Sequence, residues 1–309
     1  MTNQLSGSAN DQSKTIMLGL VVVVGMASAM LLLQWIDTLR PPPDPNAIDE
    51  SLYVSGKTAR RISLGFNGLA ADWYWMRSLQ YVGRKIINTP EDVAIDNLSQ
   101  LNLKLLAPLL DTATTLDPEF LDPYEYAAVV LPGVDLDQAI RITQKGIEAN
   151  PNAWRLYQHL GYIYWQQRNY KAASETYGRG AQIPGAPAWM EAMKAKTAAE
   201  GGSRATAREI YTRMYEQSNE EQVREMARRR LVQLDSLDQR EALQKLLKAY
   251  QERFGTCPAS WKELEQYFRA YRIPVDASGA PVDPTGVPYL LRSDACQIEL
   301  NPESQVIRK

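Results

Sequence analysis

The chain has 309 residues, 45% of them apolar, which is enough for a sizeable core and too much for a disordered tail. Thirty-four basic residues against thirty-six acidic ones leave a net charge of −2, so no global field draws the chain to nucleic acid. One histidine and two cysteines, Cys257 and Cys296, are too few soft ligands for a zinc site, and neither a metal nor any other cofactor is expected.

After a polar tail over residues 1–15 comes "IMLGLVVVVGMASAMLLLQWI", residues 16–36, without a charge. At ~1.5 Å of rise per residue it predicts a single transmembrane helix and makes the lipid bilayer a partner. A cleaved signal peptide is the rival reading, since "ASA" at Ala27 to Ala29 has the small-x-small pattern and Lys14 gives a positive flank. The apolar run continues through "MLLLQWI", and Trp35 sits where interfacial aromatics occur, which favours a retained signal anchor. The folded part is then expected on the non-cytoplasmic side, periplasmic or lumenal. A linker over 37–63 follows, in which "RPPPDPN", Arg40 to Asn46, predicts a stiff, extended spacer. "SGKT", Ser55 to Thr58, ends like a phosphate-binding loop, but Ser51 stands where its first glycine belongs and no strand precedes it.

Helical patterning runs over residues 64–255. "GLAADWYWMRSLQYVG", Gly68 to Gly83, predicts a helix whose aromatic cluster packs on the next one, "LLDTATTLDP"; the membrane interface is the other reading of those rings. Pro118, Pro151 and Pro184 are 33 residues apart, a period that points to stacked helical hairpins. Between Trp154 and Pro184 stand Leu160, Gly161, Tyr164, Tyr170, Ala173 and Tyr177, with Gly180 where an alanine is usual. This pattern resembles a tetratricopeptide repeat, in which small residues let two helices close together and large ones fill the grooves. The unit before it is similar at Tyr124, Ala127, Ala139, Gly146 and Pro151. "APAWMEAMKAKTAAEGG" and "SRATAREIYTRMYEQS" read as a further pair, with Ser203 as a helix cap, and two more helices are expected between Asn219 and Gly255.

The resemblance implies an all-α solenoid with an inner face built from the first helix of each repeat. That face is expected to hold a protein or peptide segment on Arg155, Gln158, Tyr162 and Trp165, with Asp122 and Glu125 from the preceding unit. His159, the one imidazole, is read as a surface or groove residue, and Arg228 to Arg230 as a salt-bridged helix face rather than a nucleic-acid patch.

Residues 256–309 form a small α+β unit: a short helix in "CPASWKELEQYF", then a hairpin from "VPYLLR" and "CQIEL". Cys257 and Cys296 either form a disulfide between helix and hairpin or remain two buried thiols. "VDPTGVPYLL", Val282 to Leu291, is similar to a stretch of type II secretion pseudopilins. No nucleophile, base or metal set is identifiable, so neither an enzyme nor a small-molecule substrate is expected. The expected function is a membrane-tethered tetratricopeptide scaffold that assists assembly or stabilisation of a membrane or envelope complex; the alternative is a structural component of a secretion or pilus system.

Overall fold

The computed structural model describes residues 6–39, 54–88 and 98–308. The chain divides into two compact units, Met1–Ser55 and Gly56–Lys309.

The first unit contains α1, Ser6–Leu39. Its described apolar side chains, such as Val21, Leu31 and Trp35, are exposed. Among the described residues no helix is long and apolar enough to cross a membrane. The transmembrane helix expected over 16–36 is therefore not kept. The bilayer as a partner, the single-pass topology and the non-cytoplasmic placement go with it. So do the membrane-tethered scaffold and the secretion or pilus alternative. The proline spacer at Arg40 to Asn46 lies outside the described residues.

The second unit is all-α apart from a two-stranded sheet. Its helices are α2 (Gly56–Ile62), α3 (Asn67–Ile87), α4 (Leu106–Leu116), α5 (Leu121–Val130), α6 (Leu136–Ala149) and α7 (Trp154–Gln166), then α8 (Tyr170–Ala181), α9 (Trp189–Glu200), α10 (Arg204–Gln217), α11 (Glu221–Phe254) and α12 (Glu265–Ala270). The strands are β1 (Leu290–Arg292) and β2 (Gln297–Glu299), antiparallel with Leu291 opposite Ile298. The fold class expected from sequence is corrected accordingly: an all-α arrangement with a small antiparallel sheet and, among the described residues, no membrane-crossing helix.

From α7 to α11 each helix packs on the next one in the chain. Close approach is what the small residues provide. A Cβ on Gly161 of α7 would stand 2.9 Å from the Tyr177 ring of α8, and one on Gly146 of α6 would stand 2.8 Å from the Tyr124 ring of α5. Both tyrosines are fully buried, so each ring fills the space its glycine leaves. Side chains also start the helices: Asp135 accepts the Gln138 N–H at 3.1 Å, and Asn169 accepts that of Ala172 at 3.3 Å. Ser203 stands at the start of α10 but its hydroxyl makes no capping bond.

The aromatic cluster of α3 divides between two faces. Tyr74 and Tyr81 are buried against α4, whereas Trp73 and Met76 are exposed. The two helices expected between Asn219 and Gly255 are one, α11, 34 residues long. Neither glycine nor proline occurs inside it to break the backbone hydrogen bonding, and Gly255, at φ +77°, ends it in the left-handed conformation.

The terminal segment packs on α11. Trp261, Leu264, Phe268 and Tyr289 form a core with Leu243 and Leu247. The buried Tyr289 hydroxyl meets Ser236 Oγ at 3.0 Å and donates to Gln239 Oε1 at 2.9 Å, while Trp261 Nε1 donates to the Tyr289 carbonyl at 3.0 Å. The buried carboxylate of Asp283 accepts the N–H of Thr285 at 2.7 Å and of Val287 at 3.1 Å, and the hydroxyls of Thr285 and Ser304. Asp276 does the same, seven residues earlier, for the N–H of Ser278 and of Ala280. The strings "DASGAP" and "DPTGVP" are thus two copies of one turn, each with glycine at positive φ. Their aspartates are explained by turn formation alone. Cys257 and Cys296, read as either bridged or free, are joined by a disulfide with Cα atoms 5.6 Å apart.

Candidate functional site

Each ring of the α7 aromatic pair lines a cleft of its own. Tyr162 and Trp165 lie three residues apart on one helix face, with ring centroids 5.6 Å apart and planes inclined at 36°.

Tyr162 lines the first cleft, about 750 Å³ in volume, together with Gln158, His159, Val129, Trp189 and Met193. Its walls come from α5, α7, α8 and α9, with Leu98, Pro132 and Gly133 beside them. Val129, Tyr162 and Trp189 are all exposed, at 63%, 46% and 41%, so each presents apolar surface to solvent. Trp189 is held by an edge-on contact with Trp154, centroids 6.0 Å apart, which carries Arg155 over its ring. Gln166 donates to the Tyr162 hydroxyl at 3.0 Å, and Gln158 and Gln167 line the same space. The cleft therefore pairs rings with amides that both donate and accept.

His159 on this wall is half-buried, and burial pushes its pKa below the ordinary 6.5; Glu125 opposes that shift and Arg155 adds to it. The folded state therefore prefers the neutral imidazole. The stability this gives is fully present above about pH 6.5 and is lost as pH falls through the lower folded-state value. Urea unfolding midpoints should thus fall between pH 7 and pH 5, and His159→Gln should flatten that dependence. An unchanged slope in the variant would show that other groups carry it.

Trp165 lines the second cleft, about 810 Å³, between α9, α10, α11 and the tail residues Ile307 and Arg308. Trp165 Nε1 donates to Glu200 at 2.5 Å, and Lys196 lies 4.6 Å over its ring. The floor is apolar: Tyr211, Leu234 and Leu237. Burial pushes the Tyr211 hydroxyl up to about 12, so it stays protonated at neutral pH. Lys196, Arg204, Arg230 and Arg308 line this space against Glu200 and Glu241. Arg204 is ion-paired with Asp238 and Glu241, and Lys196 with Glu200.

Of the six residues expected on the inner face, the structure puts Gln158 and Tyr162 in the first cleft and Trp165 in the second. Asp122, Glu125 and Arg155 line neither. Glu125 and Arg155 act electrostatically on His159, and Asp122 is exposed in the first turn of α5. Sequence reasoning missed Trp189, Met193 and the α11 side of the second cleft, because these come from segments without repeat spacing. In the run Arg228 to Arg230, the first two pair with Glu225, whose carboxyl they hold well below the usual range. Arg230 points elsewhere, to Gln233 and the second cleft. Among the described residues no group of His, Cys, Asp and Glu is arranged to hold a metal ion.

No family model matches the chain, and no curated protein matches it. The identification as a membrane-anchored tetratricopeptide protein is therefore not kept: among the described residues no helix is long and apolar enough to cross a membrane, and the repeat likeness rests on spacing within this sequence alone.

Proposed function

We propose that the second unit is a binding module that takes an extended peptide segment of another protein across the Tyr162 cleft, and that it acts by binding rather than catalysis. The supporting observation is the concave surface on which Val129, Tyr162 and Trp189 present exposed apolar area beside the amides of Gln158 and Gln167. Rings of this kind anchor side chains at low entropic cost, and amides pair with a main chain that has no other partner. An extended segment suits the cleft because its side chains alternate, one set toward the rings and the other toward water.

The reading is tested with a phage-displayed library of random twelve-residue peptides, selected on the whole chain. Wild type should enrich a family of related peptides. Tyr162→Ala, which removes a half-exposed ring and leaves the core intact, should weaken the synthesised winners about tenfold or more. Failure of wild type to enrich any peptide, or equal binding by a folded Tyr162→Ala variant, would overturn it.

A further inference from the structure

We infer that the bound peptide is acidic at one end, with its carboxylate held in the second cleft by Arg230 and Arg308. The inference rests on the peptide-binding reading above and names the chemistry of the ligand.

Charge in the second cleft is not balanced. Arg204 and Lys196 are each paired with carboxylates, which accounts for both Glu200 and Glu241. Arg230 and Arg308 remain. Arg230 Nη1 donates to the Gln233 amide oxygen at 2.8 Å, and Arg308 Nη2 to the Asn301 carbonyl at 2.8 Å. Among the described residues neither is in an ion pair. Both guanidiniums therefore keep free N–H groups on the wall of one cleft, and a guanidinium fork fits a carboxylate with two parallel hydrogen bonds.

Placement is fixed at both arginines. Gln233 accepts from Arg230 and also donates, through Nε2, to the Ile307 carbonyl at 3.1 Å. One glutamine thereby ties the α11 wall to the tail that carries Arg308, and Val306 next to it is buried. Leu234, Leu237 and Tyr211 line the same cleft and offer apolar contact to the rest of the peptide.

Continuity with the first cleft comes from the Tyr162 and Trp165 rings, 5.6 Å apart. A strand rises about 3.3 Å per residue, so two or three residues of an extended chain cross that pair. We place the end of a peptide seated on Tyr162 beside Trp165, which lines the same cleft as Arg230 and Arg308.

The test uses the peptides selected on wild type, synthesised with Asp and Glu and again with Asn and Gln at those positions. Wild type should bind the acidic form about tenfold or more tightly than the amide form, with a preference that shrinks in salt. The double variant Arg230→Gln, Arg308→Gln should lose that preference and bind the two forms alike, with a circular-dichroism spectrum and urea midpoint like those of wild type showing that it is folded. Winners without acidic residues, or a preference that survives in the double variant, would overturn the inference and leave the peptide-binding reading standing. Absence of any selected peptide would overturn both.

Discussion

Tyr177→Ala should cost about 3–5 kcal/mol of unfolding free energy, the largest single loss expected among the side chains of α7 and α8. Tyr177 is 2% exposed, and its ring lies where Gly161 has no side chain. Removing the ring leaves a void between two helices whose backbones are already close, and glycine has nothing with which to fill it. A typical domain has only about 5–15 kcal/mol to lose, so the variant should unfold at markedly lower urea with an unchanged slope. The complementary change, Gly161→Ala, gains about 1 kcal/mol of helix propensity yet places a Cβ 2.9 Å from the same ring. It should still be destabilising, because the ring has to shift and the overpacking term of about 1–3 kcal/mol exceeds the gain. Stabilisation by Gly161→Ala, or a loss below about 1 kcal/mol for Tyr177→Ala, would show that this contact does not hold the two helices together.

That contact marks the limit of what sequence carried. Helix positions over 154–184 were legible because glycine and tyrosine recur at spacings that only two touching helices require. The hairpin was legible from "VPYLLR" and "CQIEL" on either side of a turn. Between Asn219 and Gly255 the charged face hides any core period, so a single helix of 34 residues could not be told from two. The first cleft was half legible: Gln158 and Tyr162 share a face with the repeat pattern, but Trp189 and Met193 reach it from a helix beyond Pro184, where the pattern stops. Arg230 was read with Arg228 and Arg229 as one solvated run. Successive residues on a helix point about 100° apart, and that turn takes the third arginine away from Glu225 and into the cleft. The apolar run of α1 shows the opposite failure, where composition was read as membrane-spanning and the described residues do not support it.

Loss of the disulfide should be felt at one end of the second unit. Cys257 and Cys296 are 39 positions apart, and bridging a loop of that length removes unfolded-chain entropy worth about 4 kcal/mol. Several native contacts of the segment do not depend on the sulfurs: Tyr289 on Ser236 and Gln239, Trp261 on the Tyr289 carbonyl, and Gln244 on the Cys296 carbonyl at 2.8 Å. The variant Cys257→Ala, Cys296→Ala should therefore still fold, with its unfolding midpoint lower by about 10 °C. Hydrogen exchange should locate the effect. Amides of Trp261 to Glu299 should lose protection while those of α7 and α8 keep theirs, since the bridge constrains only the chain between its ends. A reducing agent should reproduce the shift in wild type and do nothing to the variant. Equal midpoints for wild type and variant would mean that the packing of Trp261 and Tyr289 on α11 already restricts the segment as far as the bridge does. Uniform loss of protection across α7 to α11 would instead make the terminal segment part of one cooperative unit with the clefts, so that reduction would weaken peptide binding along with stability.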